Sequence, residues 1–120
     1  MPTLLIVDDE IDIREFAANF FRRRKIDVLT AASGEEALAV LERILPNLIL
    51  LDISLPGIDG VETLQRIRQK KLDAKVVMVT GRKPEDQDAF DRCRQLGAFD
   101  YIHKPLVMDE LERIVLKGIS

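Results

Sequence analysis

At 120 residues, with 47% apolar and 32% charged side chains and a formal net charge of -3, the chain has the length of one domain and the make-up of an ordinary soluble one. The mild acidity excludes a surface that grips phosphate backbones by itself, which needs a basic footprint, so direct nucleic-acid binding is not expected. A single cysteine, Cys93, excludes an internal disulfide and points to a reducing, cytoplasmic compartment, and no apolar run approaches the length of a membrane span.

The chain opens with Leu4-Leu5-Ile6-Val7, a continuous apolar run of the kind found in strands buried on both faces, and it passes straight into Asp8-Asp9-Glu10 with nothing resembling a secretory leader. Ile13, Phe16, Ala17 and Phe20 follow at helical spacing and predict a first helix over residues 11–25. Its basic end, Arg22-Arg23-Arg24-Lys25, reads as a solvated helix terminus whose cations complement the helix dipole. A short mixed strand over 27–31 leads to Ser33-Gly34-Glu35-Glu36, a capping-box pattern that opens a second helix carrying Ala37, Leu38, Val40, Leu41 and Ile44.

Pro46-Asn47 separates that helix from Leu48-Ile49-Leu50-Leu51, the second all-apolar run, which ends in Asp52. Turn residues Leu55-Pro56-Gly57 and Asp59-Gly60 then feed a third helix with Val61, Leu64 and Ile67 inward. Val76-Val77-Met78-Val79 is the third continuous run and ends in Thr80-Gly81. Pro84 suits the first turn of a fourth helix closing at Gly97, Tyr101-Ile102-His103 forms a more polar strand ending in Lys104-Pro105, and a last amphipathic helix runs from Leu106.

Strictly alternating strands and helices predict an α/β, doubly wound (βα)5 fold with a parallel five-stranded sheet over residues 1–120. The three all-apolar strands belong in the middle and the two mixed ones at the edges, and right-handed connections then favour the order 2-1-3-4-5, flavodoxin-like. In that order the winding reverses between the first and third strands, the place where such sheets bind ligands. Four strand tips deliver Asp8 and Asp9, Asp52, Thr80 and Lys104 to that rim. Crowded carboxylates repel by about 4 kcal/mol per pair at ~4 Å and an effective dielectric near 20, and a hard divalent cation such as Mg2+ relieves this. With a cation and a hydroxyl opposite, the set suits a phosphoryl group.

These residues in this order, Asp8-Asp9, the LLDISLPGIDG stretch around Asp52, the hydroxyl in VVMVTG, and Lys104-Pro105 after GAFDY, resemble the response-regulator receiver domain of two-component signalling along essentially the whole chain. The resemblance implies that Asp52 accepts a phosphoryl group from a phosphohistidine on a histidine kinase or phosphotransfer protein. It implies that Mg2+ is held by Asp9, Asp52 and the Ser54 carbonyl directly and by Asp8 largely through water. Lys104 would pair with Asp52 and later with the phosphoryl oxygens, Thr80 would swing to the phosphoryl group, and Tyr101 would turn inward. The Lys104-Pro105 peptide would be cis. The face of the fourth helix, fifth strand and fifth helix would dock an output domain, a partner or a second receiver.

Each residue also has a plainer reading. Asp9 and Asp52 are good helix caps, Thr80 precedes a turn glycine, Tyr101 is an aromatic on an edge strand, His103 an exposed edge residue, and Cys93 a small half-buried apolar residue. Two positions depart from the resemblance or modulate it: Val107 stands where a capping Asp or Ser is expected, and Arg82 is expected to slow hydrolysis of the phosphate by screening water. Three function classes compete. They are a phosphorylation switch, a docking module that is never phosphorylated, and a phosphatase with an aspartate nucleophile, against which Ser54 stands where such enzymes carry a second acid. A flavin-binding domain of this topology lacks its Ser/Thr/Gly-rich loop after the first strand.

Overall fold

The computed structural model describes residues 2–81 and 86–120, apart from the Asp86 side chain; Arg82 and Pro84 lie outside the described residues. Ten elements alternate along them: β1 Thr3–Val7, α1 Ile11–Arg22, β2 Asp27–Ala31, α2 Gly34–Leu41, β3 Leu48–Asp52, α3 Gly60–Gln69, β4 Lys75–Thr80, α4 Asp86–Gln95, β5 Asp100–His103 and α5 Met108–Ile119. The strands form one parallel sheet in the order β2-β1-β3-β4-β5, as the distribution of apolar runs predicts. No helix among the described residues is long and apolar enough to cross a membrane.

The continuous apolar runs arise because both sheet faces are covered. Alternate side chains of the central strands divide between two cores. Leu5, Val7, Ile49, Leu51, Val76 and Met78 pack under α2, α3 and α4, while Leu4, Ile6, Leu48, Leu50, Val77 and Val79 pack under α1 and α5. A one-residue slip of any central strand would exchange its two faces. The register is therefore held from both sides, and with it the alignment of the strand tips.

Helix boundaries differ from expectation in three places, each for a local reason. α1 stops at Arg22 because the chain must turn back into β2, and Lys25 takes a left-handed backbone conformation (φ 63°) to do so. Its basic end is not simply solvated: Arg22 donates to the Val28 carbonyl at 3.1 Å, and Arg24 pairs with Glu112 of α5 and stacks on the Phe20 ring at 3.6 Å. α2 stops at Leu41, so Ile44 is exposed instead of continuing the buried stripe. α5 begins at Met108, two residues later than expected, and Val107 makes no side-chain cap. Two other helices are capped by side chains, Ser33 accepting from the Glu36 N–H at 3.1 Å as the capping-box pattern predicts and Asp59 accepting from the Glu62 N–H at 2.8 Å.

Candidate functional site

β1 and β3 lie side by side with Val7 opposite Leu51, so the residues that follow them emerge together at the carboxyl rim. Carboxylate oxygens of Asp8, Asp9 and Asp52 all lie within 4.8 Å of one another. Asp8 and Asp52 are buried, at 4% and 2% exposure, and Asp9 is exposed. Both buried carboxylates are held in the same way: Asp8 Oδ1 accepts the Glu10 N–H, and Asp52 Oδ1 accepts the Ser54 N–H, each at 2.9 Å. These are turns closed by an Asp side chain two residues back, which stop the strand and aim the second oxygen outward. Neither Asp9 nor Asp52 caps a helix. Asp59 has that role for α3, and the residue at the α1 start is Glu10, which makes no side-chain cap.

Across the cup, Lys104 follows β5. Its Nζ lies 2.8 Å from Asp52 Oδ2, 3.2 Å from Glu10 Oε1 and 3.5 Å from Asp8 Oδ2. Burial pushes the carboxyls of Asp52 and Asp8 above the ordinary value, and the hydrogen bonds and the lysine charge only partly offset this. Lys104 moves up as well. Burial works against its charge, but the hydrogen bond and charge of Asp52, followed by Asp8 and Glu10, outweigh it. The asymmetry is physical: one ammonium is shared among several acids, so it gains from each while no acid is fully compensated.

Such a donor set fits a hard divalent cation: all the ligand atoms are oxygens, they converge within reach of one ion, and burial leaves their negative charge under-compensated. Asp8, Asp9 and Asp52 could hold one there.

Thr80 ends β4 and is buried, with its Oγ1 2.8 Å from His103 Nδ1 on β5. Tyr101, two residues before His103, lies half-buried against the Phe90 ring, with centroids 4.2 Å apart, and its hydroxyl is already inside the protein. The Lys104-Pro105 peptide is cis. Cys93 is fully buried, not half-buried, and burial pushes its thiol up to about 11.

Three residues of the site escaped sequence reasoning. Glu10 adds a further acid beside Lys104, Arg14 donates to the Asp8 carbonyl at 2.8 Å, and His103 holds the Thr80 hydroxyl. Glu10 had a visible signal, a third acid in unbroken succession at a strand end; His103 and Arg14 had none without the register. Beside the cup opens a largely apolar groove of about 850 Å³ between α1 and the loop before α5, lined by Ile13, Phe16, Pro105, Leu106 and Met108 and edged by Glu10 and Lys104.

The response regulator receiver domain family model matches residues 4–116. The alkaline phosphatase synthesis transcriptional regulatory protein PhoP of Bacillus subtilis is 41% identical over 104 residues, 85% of this chain but 42% of its own length. The sporulation initiation phosphotransferase F of the same organism is 32% identical over 114 residues, covering 95% of this chain and 90% of that protein. Among solved structures, the response regulator TrrA of Thermotoga maritima in complex with Mg(2+)-BeF has a TM-score of 0.84 and 35% identity, covering 98% of this chain and 99% of that one. The chain spans less than half the length of the first curated relatives it matches. With the parallel sheet order and the acidic cup already described, these matches lead to one conclusion: the chain belongs to the response-regulator receiver domains of two-component systems.

Proposed function

We propose that residues 1–120 form a phosphorylation-activated switch in which Asp52 accepts a phosphoryl group from a phosphohistidine on a histidine kinase or phosphotransfer protein. The observation that carries this reading is the state of the Asp52 carboxylate: buried, gripped by the Ser54 N–H on one oxygen and by Lys104 on the other, and ringed by further acids. Its oxygen attacks phosphorus, the P–N bond breaks with its electron pair going to the imidazole nitrogen, and that nitrogen takes a proton from solvent. The transfer asks mainly for alignment and charge neutralisation.

Lys104 would follow the charge from the carboxylate to the phosphoryl oxygens, a short move for a flexible ammonium. Asp8, Asp9 and Asp52, with the Ser54 carbonyl, would hold Mg2+, which supplies the positive charge that offsets the phosphoryl oxygens when bound. The donor docks against the apolar groove beside Lys104, where Phe16 is exposed. Thr80 then turns to the phosphoryl group, and Tyr101 and α4 settle in the arrangement that phosphate favours. The face of α4, β5 and α5 carries the result to an output domain, a downstream protein or a second receiver, in a cytoplasmic setting.

Incubation with acetyl phosphate and Mg2+ tests the reading by intact mass. The wild-type chain is expected to gain one phosphoryl group and Asp52→Asn none. A gain by Asp52→Asn at the wild-type rate would move the acceptor elsewhere, and no gain by either would favour a docking module that is never phosphorylated.

A further inference from the structure

Thr80 and His103 are register partners across β4 and β5, so their side chains leave the same face of the sheet at adjacent positions. The Lys104 N–H donates to the Thr80 carbonyl at 2.8 Å and holds the two backbones together at that point. Oγ1 and Nδ1 meet at 2.8 Å, one of them on a buried threonine and the other on an exposed imidazole. We propose that His103 is a positioning residue that holds the Thr80 hydroxyl toward β5 at rest, so that the switch turns only by giving this bond up. The inference rests on the reading of Asp52 as the phosphoacceptor and goes beyond it, naming the residue that opposes the switch.

The reason is the proton count of a hydroxyl. Threonine has one O–H to donate, and unprotonated phosphoryl oxygens only accept. When the ring carries its proton on Nε2, Nδ1 accepts the Thr80 proton and none remains for a phosphoryl oxygen. That tautomer suits this site, because the exposed ring edge can give its Nε2–H to water while the other nitrogen faces the buried hydroxyl. An alanine at 103 removes the competitor by truncating an exposed side chain, and leaves the buried Thr80 hydroxyl free to turn. An asparagine keeps an accepting oxygen at the same branch of the side chain and restores the competition.

Beryllofluoride with Mg2+, a phosphoryl mimic, is the probe, titrated into wild type, His103→Ala, His103→Asn, Thr80→Val and Asp52→Asn. Loss of one neutral hydrogen bond from the resting state predicts roughly 5-fold tighter binding by His103→Ala, with His103→Asn returning toward wild type. Nitrogen-15 spectra of the His103 ring supply a readout that a merely structural role would not move: the signature of an accepting Nδ1 is expected in the free protein and lost both on adding the mimic and in Thr80→Val. Equal or weaker binding by His103→Ala, with Asp52→Asn not binding, would overturn this inference alone. Undiminished binding by Asp52→Asn would overturn the phosphoacceptor reading and the inference together.

Discussion

Lys104 is the side chain whose removal the site tolerates least. It is the ammonium that faces Asp52, Asp8 and Glu10, and two of those acids are buried. Taking one partner from a buried ion pair leaves charge that water cannot reach, at a typical cost of about 3–5 kcal/mol. Lys104→Met is therefore expected to lower stability by roughly 3 kcal/mol at neutral pH without metal, read by urea melts. The sign of its pH dependence follows from the carboxyls. Asp8 and Asp52 have native values above their unfolded ones, so the folded state holds its protons longer and the penalty shrinks as pH falls into the carboxyl range. Lys104 itself, raised in the native state, stabilises the wild type below the ordinary lysine value, a contribution lost as pH rises through its higher native value. A mutant penalty that grows on acidification would contradict this account. Asp8→Asn is the complementary case: by easing repulsion among the acids it is expected to raise the melting temperature in EDTA by roughly 4 °C, a gain on the order of 1 kcal/mol. The residues named from sequence, Asp8, Asp9, Asp52, Thr80 and Lys104, share one visible property, that each ends a strand or lies within two residues of its end. His103 does too, but its partner Thr80 lies on another strand, and only the register reveals the pair.

At the scale of elements, the loop between β3 and α3 returns tightly onto the site. A methyl group at Gly60, the first residue of α3, would press on the Asp52 carbonyl oxygen and come within 2.6 Å of the Ile53 Cα. The Gly60 N–H also donates to the Ile53 carbonyl at 2.8 Å. Backbone cannot step aside as a flexible side chain can, so Gly60→Ala must lift the start of α3 away from β3. An overpacking cost of about 1–3 kcal/mol is expected, together with weaker Mg2+ binding, because the Asp52 turn moves with the loop. Calorimetry and metal titration check both, and unchanged metal affinity beside a lowered melting temperature would show that the cup is insulated from the helix. Although α5 begins two residues late without a side-chain cap, the start of α2 was legible because Ser33 caps it by side chain. Helix ends were less so, because where α1 and α2 stop depends on the next strand's position, a property of the packed sheet that no local pattern carries.

For the molecule as a whole, the sheet order could be read from three uninterrupted apolar runs and two mixed ones, because burial on both faces leaves that mark in a sequence. Cys93 shows the limit of such reading: its position on α4 indicated a half-exposed thiol, whereas it sits in the core under α3, α4 and β4. With no exposure and its thiol pushed up to about 11, it is expected to resist a disulfide reagent near pH 8 in the folded chain and to react fully in guanidinium. Brisk labelling of the native protein would mean that α4 opens often. The same helix is tethered at its far end by Arg68, which donates to the Leu96 carbonyl at 2.9 Å, the Ala74 carbonyl at 3.0 Å and the Gly97 carbonyl at 3.1 Å. One guanidinium thus ties the exit of α4 to the entry of β4. With that end anchored, any reorientation of α4 would pivot at Arg68, and its amplitude would grow toward the start of the helix.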